Sequence, residues 1–198
     1  MSAPMTGLTG GIGSGKSVVA HVLTIKGYDV VDSDTLARRL MDESAVVKDR
    51  IAAEIDTSCV RDGLIDRRRL ADIVFSDARR LAVLNDIVHG LVRERLAEIA
   101  AHATKPFFVE TAIFGSSGLW RLCSAELRVT APEELRVERV MRRNGLSADA
   151  VRARIAAQRT ETLLGDEAPP LFIIENDGHT AVLPQVDTFL ATLSPPYY

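Results

Sequence analysis

Cysteine, surplus basic charge and long apolar runs are all scarce in this chain of 198 residues. Its two cysteines, Cys59 and Cys123, lie far apart and form neither a CxxC pair nor a Cys/His cluster. That excludes a disulfide scaffold and a cysteine-built zinc site, and reads both thiols as small buried apolar groups in a reducing compartment. Lys and Arg number 24 against 27 Asp and Glu, a net charge of −3. Broad nucleic-acid binding calls for a basic surface, so no nucleic-acid partner is expected. No stretch approaches the ~18 apolar residues of a membrane span, and the first residues carry no basic leader pattern. The expectation is a cytoplasmic protein with no membrane partner, a monomer or small homo-oligomer acting on small molecules.

What is present is an ordinary globular composition, 46% apolar and 26% charged. Short apolar runs without polar alternation read as strands at Met5–Thr9, Tyr28–Val31, Phe107–Val109, Leu127–Thr130 and Leu171–Ile174. Parallel strands covered on both faces look like this. Helical patterns separate them: Ser17–Lys26, closed by Gly27, and the long Asp77–Ala103, where Gly90 marks a possible division. Alternating strands and helices predict an α/β fold with a mostly parallel five-stranded sheet. A crossover needs only about a dozen residues. The stretches between Val31 and Phe107 and between Thr130 and Leu171 are much longer, and both are helical in pattern. The sequence therefore divides into a core (1–32, 104–131 and 171–198), a helical insertion (33–103) and a second insertion (132–170).

Gly10-Gly11-Ile12-Gly13-Ser14-Gly15-Lys16-Ser17 fits GxxxxGK[ST], with a strand before it and a helix after it. Glycines let backbone N–H groups turn onto an anion, and the helix adds its N-terminal dipole. In such a loop the lysine reaches the β- and γ-phosphates and the following hydroxyl ligates Mg²⁺. Gly11, Gly13, Ser14, Gly15, Lys16, Ser17 and Val18 are thus the candidate nucleotide site. Neither an Asn-Lys-x-Asp element nor a DxxG switch is present, so ATP is the expected nucleotide.

Ligands of open α/β sheets gather beyond the carboxyl ends of the strands. Two strands end there in carboxylates, at Asp32-Ser33-Asp34 and at Glu110. One of the aspartates is a candidate to accept the proton of an attacking hydroxyl; the other reading is a cap for the helix starting near Thr35. Glu110 reads either as a Mg²⁺ or water ligand or as a satisfied strand-end carboxylate. Arg139 and Arg143 fall one turn apart on one helix, with Arg142, Arg152, Arg154 and Arg159 close in sequence. A mobile lid over ATP phosphates has such arginines, and so does a solvated helix face. Arg67-Arg68-Arg69, with His89 and Arg93, forms a second basic group in the long insertion, suited to an acceptor's phosphates.

The ordered set resembles the dephospho-coenzyme A kinases over nearly the whole chain. It runs from Leu8–Ser17 through Gly27-Tyr28, Val31–Asp34, Gly63–Arg67 and Leu84–His89. It continues with Ala131-Pro132-Glu133, Arg139, Arg143-Asn144, Arg154–Gln158 and Ile174–Gly178. The resemblance implies a nucleoside-monophosphate-kinase-like P-loop fold, with 33–103 binding dephospho-coenzyme A and 132–170 forming the lid. ATP with Mg²⁺ would phosphorylate the ribose 3′-hydroxyl. It further implies that Asp34 or Asp32 orients that hydroxyl, Arg67 and His89 hold the acceptor, Arg139 and Arg143 clamp phosphates, and Asn176 lies near the adenine. Gly90, Gly115 and Pro169-Pro170 depart from the family's pattern.

Overall fold

The computed structural model describes residues 4–158 and 168–193. Five strands form one parallel sheet: β1 (Met5–Thr9), β2 (Val30–Asp32), β5 (Phe107–Glu110), β6 (Ala125–Thr130) and β7 (Leu171–Glu175), in the order β2-β5-β1-β6-β7. β1 is buried along its whole length, because it sits between β5 and β6 with both faces covered. β2 pairs with β5 rather than with β1, so Asp32 stands in register with Glu110 at the carboxyl end of the sheet.

One face of the sheet is closed by α1 (Lys16–Ile25) and α8 (Val182–Leu193). Leu8, Phe108, Leu127 and Ile174 from the strands pack there with Val19, Leu23, Val186 and Phe189 from the helices. On the other face Phe114 lies over Gly7, where any Cβ would overlap its ring.

The chain separates into two compact units, one running to Asp32 and resuming at Ala100, the other Ser33–Ile99. The second unit holds α2 (Ser33–Glu43), α3 (Ala45–Glu54), α4 (Arg67–Ser76) and most of α5 (Ala78–His102), with a short hairpin of β3 (Val60–Arg61) and β4 (Leu64–Ile65). Its core is its own: Val47, Ile51, Ile55, Cys59, Leu70, Val74 and Ile87. Ser44 caps α3 by accepting from the Val47 N–H at 3.3 Å, and Asp66 caps α4 by accepting from the Arg69 N–H at 2.9 Å.

Two sequence expectations change here. The insertion is not helical throughout, since Asp62-Gly63 closes the β3–β4 hairpin. Both residues have positive φ, 51° and 74°, as the favoured two-residue hairpin turns require. Nor does Gly90 divide the long helix: α5 is continuous over 25 residues. A glycine inside a helix costs only about 1 kcal/mol, which Ile87, Val92 and Leu96, all buried around it, offset.

Of the cysteines, Cys59 is buried as expected, whereas Cys123 is half-buried. Burial pushes the Cys123 thiol up to about 12, with the nearby Glu126 carboxylate adding to the effect. No helix among the described residues is long and apolar enough to cross a membrane.

Candidate functional site

The site begins where β1 ends. Gly10 to Gly15 arch from the end of the strand into α1, and Gly15 occupies its N-cap in the left-handed region. Gly13 has φ +78° and Gly15 φ +98°, conformations that L side chains rarely adopt. Space is short as well. A Cβ on Gly13 would stand 2.6 Å from the Arg136 carbonyl, and one on Gly15 would overlap the Asn176 amide. The glycines thus hold open a narrow cradle: the group against Gly13 is backbone, and the one against Gly15 is a side-chain amide tied by hydrogen bonds to Ser14 and Arg139.

A cavity of about 280 Å³ opens over this cradle. Gly11, Gly13, Gly15, Lys16 and Ser17 line it together with Glu110, Arg139, Arg143 and Gln158. Three cationic side chains against one carboxylate make it a place for a polyphosphate. Lys16 donates from Nζ to the Gly10 carbonyl at 2.7 Å, folded over its own loop. Arg139, on α6 (Glu133–Asn144), donates from one terminal nitrogen to the Asn176 carbonyl at 3.1 Å and from the other to its Oδ1 at 3.3 Å. Asn176 in turn donates from Nδ2 to the Ser14 carbonyl at 2.8 Å. Arg143, one turn further along, keeps an exposed guanidinium that donates to the Asn144 Oδ1 at 2.8 Å.

These residues fit nucleotide and Mg²⁺ in three respects. The cradle has no room for a Cβ. The Ser14 hydroxyl is buried without a hydrogen-bond partner among the described residues, a state a bound ligand or water relieves. The Ser17 hydroxyl and the Glu110 carboxylate, both hard oxygen donors, line the same cavity. Among the described residues no three His, Cys, Asp or Glu side chains cluster as a metal cage. Such a donor set suits Mg²⁺ arriving with phosphates, because that ion uses one or two carboxylates and keeps its remaining positions for phosphate and water.

The sequence-derived residues fall into two groups. Gly11, Gly13, Gly15, Lys16, Ser17, Glu110, Arg139 and Arg143 meet in the cavity, with Ser14 and Asn176 bonded behind the loop. Val18 follows on α1 and is 52% exposed. Asp34, Arg67 and His89 belong to the second unit. Asp34 lies exposed in the first turn of α2. Arg67 opens α4 and pairs with Asp42 at 2.7 Å, and His89 is half-buried in α5. Arg159 and the rest of 159–167, expected in the lid, lie outside the described residues.

Two features escaped the sequence reading. The first is a buried carboxylate: Glu126 on β6, 3% exposed, accepts from the Thr9 hydroxyl at 2.5 Å and from Arg128 at 2.8 and 2.9 Å. These three side chains border a second cavity of about 260 Å³ beside the P-loop, which Ser14, Phe114, Arg136 and Gln158 also line. Removing one member of a buried pair strands the other, whereas an apolar replacement of both is often neutral. Glu126 is buried but Arg128 only part-buried, so Glu126→Ala is expected to lower unfolding free energy by about 2 kcal/mol in urea titration. The double change Glu126→Leu with Arg128→Met should recover most of that loss. The second is the contact of Gln158, whose side-chain oxygen accepts from the Ile12 N–H of the P-loop at 2.7 Å.

Comparison with known proteins agrees with this geometry. The dephospho-CoA kinase family model matches residues 4–181. A dephospho-CoA kinase of Porphyromonas gingivalis is 37% identical over 188 residues, covering 94% of this chain and 93% of that one. The crystal structure of TT1252 from Thermus thermophilus superposes with TM-score 0.72 at 38% identity, covering 98% of this chain and 100% of the other. Shikimate kinase from Acinetobacter baumannii, 17% identical with TM-score 0.53 over 96% of this chain and 93% of its own, shares the fold. With its parallel five-stranded sheet, its P-loop and a match along most of its length, the chain belongs to the dephospho-CoA kinase family.

Proposed function

We propose that the chain transfers the γ-phosphoryl group of ATP to the ribose 3′-hydroxyl of dephospho-coenzyme A, giving coenzyme A and ADP. The observation that carries this reading is the single cavity that gathers the P-loop, Lys16, Ser17, Glu110, Arg139 and Arg143 in a member of this family.

The acceptor oxygen attacks the γ-phosphorus while Asp34 takes the hydroxyl proton. The bond to the β,γ-bridging oxygen breaks, and its electron pair leaves with ADP. Little covalent chemistry falls to the protein, so positioning and charge dominate. Lys16 reaches the β- and γ-phosphates, and Arg139 and Arg143 offset charge on the transferring group. Ser17 and Glu110 would hold Mg²⁺, and Asp32, in register with Glu110, is a second carboxylate that would be available to it. When bound, Mg²⁺ neutralises phosphate charge and orients the phosphates. Asn176 flanks the adenine of ATP, while Arg67 and His89 hold the acceptor, with 33–103 as the acceptor-binding part and 132–170 as the lid. This reaction belongs in the cytoplasm.

ADP release measured with a panel of acceptors tests the reading. Dephospho-coenzyme A is expected to support turnover at least 100-fold above nucleoside monophosphates, shikimate or gluconate. Equal turnover with a nucleoside monophosphate would replace the proposed acceptor.

A further inference from the structure

Ile12, at the crest of the P-loop, is held by all three of its parts. Its N–H donates to the Oε1 of Gln158, the last residue of α7 (Ala148–Gln158), at 2.7 Å. Its carbonyl accepts from Nε of Arg136 on α6 at 2.9 Å. Its side chain packs on Val137, Val140, Val151 and Ile155, the small core between α6 and α7. The loop is thereby joined to the helices beside it through one residue flanked by glycines.

The peptide bond is planar and trans, so its C=O and N–H point in opposite directions. Fixing one group fixes the other. The Arg136 bond to the Ile12 carbonyl thus turns the Gly13 N–H the opposite way, and the Asn176 bond to the Ser14 carbonyl does the same for the Gly15 N–H. The Gln158 bond acts one peptide earlier. With the Ile12 N–H on Gln158, the Gly11 carbonyl is turned away, and it accepts from the Ser14 N–H at 3.1 Å to close the turn. Gly11, with no Cβ, leaves its ψ freer than any other residue would, so this peptide can turn more easily than one between two side-chain-bearing residues. The hydrogen bond from outside the loop selects one orientation.

We propose that Gln158 is a positioning residue that locks the Gly11–Ile12 peptide, and so sets the affinity of the cradle for polyphosphate. This rests on the kinase reading only in assigning the loop to phosphate. The amide orientation follows from the donor it meets: an N–H requires the oxygen of Gln158. In the sequence Gln158 stands as the end of the stretch Arg154–Gln158 with no role of its own, because an amide at a helix end does not name its partner.

Gln158→Leu keeps the bulk and removes the acceptor; Gln158→Glu keeps an acceptor oxygen at the same reach. The probes are inorganic tripolyphosphate, which has no base or ribose, and amide hydrogen exchange at Ile12. The expected result for Gln158→Leu is about tenfold weaker tripolyphosphate binding, an equal rise in KM for ATP, and kcat within about threefold of wild type. Exchange at Ile12 should accelerate at least tenfold while the buried amides of Leu8 and Leu127 stay as protected as before. Gln158→Glu should retain the Ile12 protection. If Gln158→Leu does not fold, Gln158→Asn, whose amide stops one methylene short, gives the same readout. Unchanged tripolyphosphate affinity or unchanged Ile12 exchange, in a variant whose wild type binds tripolyphosphate, overturns the proposal and leaves the kinase reading standing. A wild type that binds neither tripolyphosphate nor ATP removes the kinase reading, and this proposal with it.

Discussion

Replacing Asp34 by Asn is expected to reduce single-turnover phosphoryl transfer by about 10²–10⁴ while leaving ATP affinity and the thermal midpoint near wild type. The reasoning compares two roles for one carboxylate. Asp34 stands exposed in the first turn of α2, where a negative charge stabilises a helix by about 0.3–1 kcal/mol. Were that its whole role, Asn would change stability slightly and turnover not at all. If instead it accepts the proton of the attacking hydroxyl, Asn keeps size and hydrogen bonding but removes the base. Rapid-quench measurement of one turnover, with a melting curve on the same sample, separates the two. Full activity in Asp34→Asn would transfer the role to Asp32 or Glu110, which stand in register at the ends of β2 and β5. Asp32→Asn should instead shift the Mg²⁺ dependence of the rate.

Lys16→Met is expected to lower kcat by at least about 10²–10³, the scale on which one preorganised donor acts on developing charge. Methionine keeps most of the aliphatic stem, so packing beside the loop is preserved. In the structure Nζ rests on the Gly10 carbonyl at 2.7 Å, a bond whose net contribution to stability is about 1 kcal/mol. A large rate loss with a small stability loss therefore identifies Lys16 as a group acting on phosphate. Circular dichroism and steady-state ADP release on one preparation give both quantities. A variant within a few fold of wild type would contradict the role given to the loop.

Much of the core could be read in the sequence because a buried parallel strand has a plain signature. β1 spans Met5–Thr9 as the apolar run predicts, and β5 and β7 each extend one residue further, into a glutamate. The P-loop was equally legible, since its chemistry dictates its residues. β6 was less so. The apolar run begins at Leu127, but the strand begins at Ala125, and Glu126 and Arg128 neutralise each other inside it. Glu126 and Arg128 share one face of the strand at i and i+2, but two charges in a short run read as solvent-exposed, and the burial that makes them a pair comes from the neighbouring strands. The β3–β4 hairpin did carry a local signal, Asp62-Gly63, overshadowed by the helical pattern around it.

Strand order lay beyond sequence reading. Nothing local says that β5 enters between β1 and β2, yet this insertion is what brings Glu110 and Asp32 into register. Gln158 was hidden for a similar reason, because its partner, the Ile12 N–H, lies 146 residues away. Arg139 was found by its helical spacing. In the structure its guanidinium holds Asn176 and lines the cavity over the P-loop, two engagements that spacing alone does not distinguish.

The most direct test of the central claim is the position of the new phosphate in the product. Wild-type protein, ATP, Mg²⁺ and dephospho-coenzyme A should be incubated to completion and followed by phosphorus NMR. The expected spectrum gains one phosphomonoester resonance, coupled to the ribose H3′ proton, in stoichiometric balance with ADP. A phosphomonoester at the 2′ position, or ADP formed with no phosphorylated acceptor, would contradict the account.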